Sequence, residues 1–228
     1  MADACASSQI VRFVHCSTVS VYGRVSDTVV TEATECQPRN AYGQTKLDIE
    51  NALIDRIDGR FQLAILRPSN VFGAGGVALA KEVDDLVLGS PFISYVRESL
   101  FGRRRTHLVP VETVASALLY LGQATFSHRS DVFIISDDDE PANNFFDVQR
   151  ILREELCIPG FPLRPSILPR SVLEALLRMK GRANVNTQAI YSPEKILSHG
   201  FIRPVNFEHA LRRYIRDQKS GPQLKDRS

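Results

Sequence analysis

The 228-residue sequence has no tryptophan, two methionines and four cysteines, at positions 5, 16, 36 and 157. The cysteines show neither the close pairs of a zinc site nor the density of a disulfide scaffold. They read as reduced thiols of a cytosolic protein. No His/Cys/carboxylate cluster has metal-ligand spacing, so no metal is expected. No run approaches the roughly 20 apolar residues of a membrane span, and Met1-Ala2-Asp3-Ala4-Cys5 lacks the basic start of a secretory signal. Excess charge is missing too: 28 Lys and Arg stand against 26 Asp and Glu, a net of +2. That is too near neutral to indicate nucleic acid. The one basic run, Arg103-Arg104-Arg105, has no aromatic stacking platform beside it. Internal repeats and low-complexity blocks are also absent.

What is present is ordinary globular material, 43% hydrophobic and 24% charged, enough for one sizeable domain or two small ones sharing a core. Ile10 to Cys16 is β-branched and aromatic-rich and reads as a buried strand. Residues 17–41 are turn-rich and suit a long functional loop. From Tyr42 to Ile57 the apolar residues Leu47, Ile49, Leu53, Ile54 and Ile57 recur at helical spacing, and Asp58-Gly59 stops the helix. Phe61 to Leu66 is a second buried strand, ended by Arg67-Pro68. Strand, helix and strand with short joins form a βαβ unit and imply a parallel sheet. Further helices are expected over Val111–Leu121, Phe145–Leu156, Ser171–Met179 and Phe207–Ile215. A short strand is expected over Val132–Ile135, and a disordered tail over 218–228.

One segment carries chemistry. Tyr42 and Lys46, four apart, project from one face of their helix. An ammonium beside a phenol favours the phenolate, so a tyrosine can serve as a base below its usual pKa of about 10. A hydroxyl such as that of Thr18 could hold the substrate oxygen in line. The set suits oxidation or reduction of an alcohol. His15 and His107 are expected on strands as packing or surface residues, and Cys16 as a buried strand thiol.

Five segments in order extend this. They are Phe13-Val14-His15-Cys16-Ser17-Thr18-Val19-Ser20-Val21-Tyr22-Gly23, Tyr42-Gly43-Gln44-Thr45-Lys46, and Leu66-Arg67-Pro68-Ser69-Asn70-Val71-Phe72-Gly73. The last two are Arg105-Thr106-His107-Leu108-Val109-Pro110-Val111-Glu112 and the stretch from Ser192 to Pro204 with its Gly200-Phe201. Together they resemble the extended short-chain dehydrogenase/reductases, in the branch of NAD-dependent sugar-nucleotide epimerases and dehydratases. The resemblance covers residues 10 to about 215.

The resemblance implies an α/β fold: a partial Rossmann-type parallel sheet with a small α/β substrate-binding domain. Residues 1–70 and 107–136 would belong to the NAD-binding part, and 71–106 and 137–217 to the substrate part. It implies Thr18, Tyr42 and Lys46 as catalytic residues, with Tyr42, Lys46 and Ser17 on the cofactor side. Asn70 and Arg105 would hold a nucleotide-sugar. The cofactor implied is NAD, with NADP as the alternative. Sugar 4,6-dehydratases of the family carry acids right after the catalytic threonine, where this chain has Val19 and Ser20. That favours an epimerase or a keto-sugar reductase.

The family's Gly-x-x-Gly-x-x-Gly turn, which receives the cofactor pyrophosphate, has no counterpart before Ile10. Gly73-Ala74-Gly75-Gly76-Val77-Ala78 fits the pattern formally, but Arg67 to Phe72 separates it from its strand. The expectation is a chain lacking the first βα units, weakly active or inactive alone, cytoplasmic, and a homodimer or the partner of a complementing N-terminal fragment. The rival readings are a non-catalytic scaffold of the family and a small-alcohol reductase.

Overall fold

The computed structural model describes residues 10–23, 25, 27–57, 61–74, 76, 79–124, 128–163, 165–166 and 189–220. The expected helix over Ser171–Met179 lies outside them. Three strands, β1 (Arg12–Cys16), β3 (Gln62–Pro68) and β6 (Ser130–Ile135), form a parallel sheet in the order β1-β3-β6. The register pairs Val14 with Ala64 and Ile65 with Val132. Two parallel pairs flank it, β2 (Val29–Val30) with β7 (Ile190–Tyr191), and β4 (Asn70–Phe72) with β5 (Leu108–Pro110).

Alternation along β3 decides what covers each face. Leu63 and Ile65 point toward Leu53 of α1 (Ala41–Asp55). Ala64 and Leu66 pack with Val114, Ala117 and Leu121 of α4 (Val111–Gln123). Both faces are therefore sheathed by helices, as parallel sheets require. Between these helices lie α2 (Ala80–Leu88) and α3 (Pro91–Phe101). A second core joins α5 (Phe145–Leu156) to α7 (Phe207–Ser220) around Phe72, Ile151, Leu152, Phe207 and Leu211. The short α6 (Glu194–Ser198) packs Ile196 against the α4 side.

Four sequence expectations need correction. Cys16, expected as a buried thiol, is exposed at the end of β1. The strand at Phe61 continues through Arg67-Pro68. Its even-numbered residues donate toward β1 and its odd ones toward β6: Gln62 N bonds Val11 O, and Leu63 N bonds Arg129 O. Pro68, which has no N–H, therefore falls where the ladder to β1 has already ended at Ser17. The last helix runs to Ser220, three residues into the expected tail. Residues 17–41 are not all loop, because they contain a 3-10 turn (Val19–Val21) and β2.

Candidate active site

Ligand sites of open α/β sheets lie beyond the carboxyl ends of the strands. The expected residues gather there. β1 ends at Cys16, and its chain turns at once into the 3-10 turn capped by Thr18. The Thr18 Oγ1 accepts from Ser20 N and donates to Ser20 Oγ, both at 3.2 Å. Thr18 and Ser17 are buried. Tyr42 sits in the first turn of α1 with 57% of its surface exposed. Its hydroxyl has no hydrogen bond among the described residues. Lys46, one turn on, donates from Nζ to Cys16 O at 3.0 Å. Even-numbered residues of β1 turn their backbone groups away from β3. Lys46 thus caps the carbonyl at the edge of β1 where, among the described residues, no strand pairs.

Two local features bring α1 to this place. Asn40 caps the helix, its Oδ1 accepting from Gly43 N at 2.7 Å. Gly43 then crosses directly over the 3-10 turn: a Cβ there would lie 2.6 Å from Ser20 O. A side chain at 43 would force Tyr42 and Lys46 away from Thr18. Gly→Ala in a helix ordinarily gains about 1 kcal/mol, but overpacking of this kind costs about 1–3 kcal/mol. Gly43→Ala is therefore expected to lower the urea midpoint. An unchanged or raised midpoint contradicts this close approach.

Sequence reasoning missed a buried network beneath the site. Arg67 at the end of β3 reaches Glu50 of α1 through Nε at 3.1 Å and through a second nitrogen at 2.6 Å. A third nitrogen donates to the Tyr22 hydroxyl at 2.8 Å. Burial pushes the Tyr22 phenol well above its ordinary range, so it stays neutral and accepts. The network ties β3 to the 3-10 turn region that follows Thr18 and to the helix that bears Tyr42 and Lys46. One signal could have found it, since Glu50 lies four residues past Lys46 on the same helix face. His15, on the α1 face of β1, is depressed by burial and then by the Lys46 charge.

The second group of expected residues lines a separate cleft of about 420 Å³. Asn70 and Arg105 both face it, with Arg97, Phe101, His107 and Phe145. Asn70 Nδ2 donates to Thr106 O at 2.9 Å, and Arg105 donates to Glu140 O at 2.8 Å. The other guanidinium nitrogens of Arg105 have no partner among the described residues. The wall is held by Asn143, fully buried, which bonds Leu108 O, Asp137 O, Leu108 N and Thr106 Oγ1. His107 departs from expectation. It is not on a strand but just before β5, with a left-handed φ of 56°. Its Nδ1 lies 2.7 Å from Asp138 Oδ2.

A model of the NAD dependent epimerase/dehydratase family matches residues 1–120. The chain belongs to that family. The UDP-glucose 4-epimerase of Corynebacterium glutamicum is 33% identical over 139 residues, 60% of this chain and 33% of that protein. The chain therefore matches about a third of that relative's length. Among solved structures, the UDP-glucose 4-epimerase of Thermus thermophilus in complex with NAD has a TM-score of 0.63 and 21% identity. It covers 97% of this chain and 68% of its own. The UDP-glucuronic acid 4-epimerase of Bacillus cereus, solved with UDP-glucuronic acid and NAD, has a TM-score of 0.69 and 18% identity. Those figures cover 95% of this chain and 65% of the other. At such identities these structures establish the shared fold.

The family's cofactor can be set against the residues present. Polar groups suited to a cofactor's sugar hydroxyls stand at the carboxyl end of β1. Ser17 Oγ is buried at the carboxyl end of β1 without a partner, a costly state for a hydroxyl. The Lys46 amine lies one residue away on Cys16 O. The pyrophosphate end finds no such cradle among the described residues. No strand there runs through a glycine-rich turn straight into a helix. Gly73 and Gly76 follow β4, and the Gly76 amide closes back onto Gly73 O at 3.0 Å.

Proposed function

We propose that this chain carries the proton-transfer and substrate-holding residues of an NAD-dependent sugar-nucleotide epimerase. The observation that supports it most is convergence. Thr18 follows the end of β1, Lys46 bonds Cys16 O there, and Gly43, next to Tyr42, crosses over Ser20 O, while Asn70 lies two residues past the end of β3, the strand beside β1. On this reading residues 1–70 and 107–136 form the cofactor side, and 71–106 and 137–217 the substrate side.

The roles follow from chemistry. Tyr42 takes the proton from a sugar hydroxyl, since the residue is exposed and its hydroxyl has no hydrogen bond among the described residues. Thr18 Oγ1 holds that oxygen, exchanging its present bond to Ser20 for one to the sugar. Lys46, whose amine lies at the carboxyl end of β1, holds the cofactor's ribose side with Ser17. NAD, held by Lys46 and Ser17, would supply the hydride chemistry at the sugar carbon. Val19 is buried and Ser20 is engaged by Thr18. Neither can move the extra protons that eliminating water requires, so the reading is epimerase and not dehydratase.

The cleft would hold the nucleoside diphosphate. Arg97, Arg104 and Arg105 outnumber Glu82 on its walls, and Leu79, Phe101 and Phe145 give it an apolar side. A guanidinium fork suits a diphosphate. Arg105→Ala is expected to weaken UDP-glucose binding by roughly 10- to 100-fold in calorimetric titration, the equivalent of one charge-assisted hydrogen bond. Unchanged affinity would remove the nucleotide-sugar assignment.

A further inference from the structure

His107 has a place that the proposed roles do not use. Its backbone is left-handed, a conformation unusual for a residue with a side chain. Its carbonyl is used by Asn70 N at 2.7 Å, which fixes the segment beside the cleft residue Asn70. Its ring stands between two environments. On one side Nδ1 meets Asp138, a carboxylate with no exposed surface. The same Asp138 oxygen accepts from Tyr191 N at 2.9 Å, and the Tyr191 ring lies edge-on to the imidazole at 5.0 Å. On the other side the ring borders the cleft, and 19% of its side chain is exposed.

This arrangement decides the tautomer. A carboxylate only accepts, so Nδ1 carries the hydrogen. In the neutral ring Nε2 then presents a lone pair to the cleft, which repels a phosphate oxygen. A second proton turns Nε2 into a charged donor. Resting on the reading of this cleft as a nucleoside-diphosphate-sugar site, we propose that His107, held by Asp138, is a proton-dependent grip on the diphosphate. Ligand binding takes up a proton at Nε2, and affinity falls as the imidazole is deprotonated.

The charged surroundings are consistent with a single titrating contact in the cleft. From its own segment His107 is flanked by Arg104 and Arg105. Across the cleft Arg97 is paired with Glu82 and Asp85. Tyr191 stays neutral, burial and then Asp138 pushing its phenol up to about 12. Behind the ring lie Asp137, Asp139 and Glu140, with Arg203 2.9 Å from Asp137 and 2.6 Å from Asp139. Asp137 is the one competitor. Burial pushes its carboxyl up to about 7, against the opposing charge of Arg203. Its protonation also changes the charge behind the cleft with pH, so the test must separate the two.

UDP-glucose is the probe, because its diphosphate diester is fully ionised and does not titrate near neutral pH. It is titrated into the full chain at about pH 6 and about pH 8, in buffers of different ionisation enthalpy. The expected result is affinity about tenfold weaker at the higher pH, with net proton uptake on binding. His107→Gln should bind with nearly the same affinity at both values, close to the native chain at high pH. His107→Asn, which tolerates the left-handed backbone, serves if the glutamine variant does not fold. The proposal is overturned by native affinity that is equal at both values. It is overturned too if the pH dependence survives in both His107 variants, or vanishes in Asp137→Asn while persisting in His107→Gln. No binding at either pH instead removes the nucleotide-sugar reading, and this proposal with it.

Discussion

Glu50→Ala is expected to cost about 3–5 kcal/mol of folding stability in urea titration, the range for stranding one charge of a buried pair. The Arg67 side chain is 7% exposed and that of Glu50 1%. Water cannot replace the lost carboxylate, and the remaining Tyr22 hydroxyl accepts only one of the guanidinium's hydrogens. The effect should exceed that of any surface pair, such as Arg150 with Glu154, whose members are 40% and 45% exposed. Replacing both partners, as Glu50→Leu with Arg67→Met, should recover most of the loss, because the penalty comes from the unpaired charge. A loss below about 1 kcal/mol for Glu50→Ala would mean that the pair is hydrated in solution.

Much of the frame was legible in the sequence because it follows from periodicity. Phe145–Leu156 matches its expected bounds, and α1 differs from its expected span by one residue at the start and two at the end. Both helices have polar caps, Asn144 and Asn40, ahead of an apolar stripe. The βαβ unit and its parallel register followed from order and short joins. The family expectation is met by the matched family model and the fold of its relatives. What stayed hidden was long-range. The Glu50–Arg67 pair joins residues 17 apart, and each reads alone as a surface charge. The His107–Asp138 contact spans 31 residues. It also depends on a positive φ, which no local pattern around a histidine announces. Pro68 misled for a related reason. It reads as a strand terminator, yet here its missing N–H faces the side where the neighbouring strand has already ended.

The second large effect concerns Tyr42. Removing its hydroxyl removes the proposed base while leaving the fold alone, since that oxygen makes no hydrogen bond among the described residues and the residue is 57% exposed. General acid–base help is worth about 100- to 10,000-fold in rate. A stability change within about 0.5 kcal/mol is expected beside it, as for other exposed positions. This separation distinguishes Tyr42 from Glu50 and Gly43, whose replacement disturbs the packing that aims α1. It also distinguishes an enzyme from a scaffold of the same family, which would be indifferent to the hydroxyl.

The most direct measurement is therefore the interconversion of UDP-glucose and its 4-epimer by the native chain and by Tyr42→Phe, followed by NMR with NAD and sugar nucleotide both saturating. Slow conversion by the native chain, reduced at least about 100-fold in the variant, is the expected result. Equal rates in the two proteins, or no conversion by the native chain with both ligands bound, would contradict the assignment of this site to oxidation at a sugar hydroxyl.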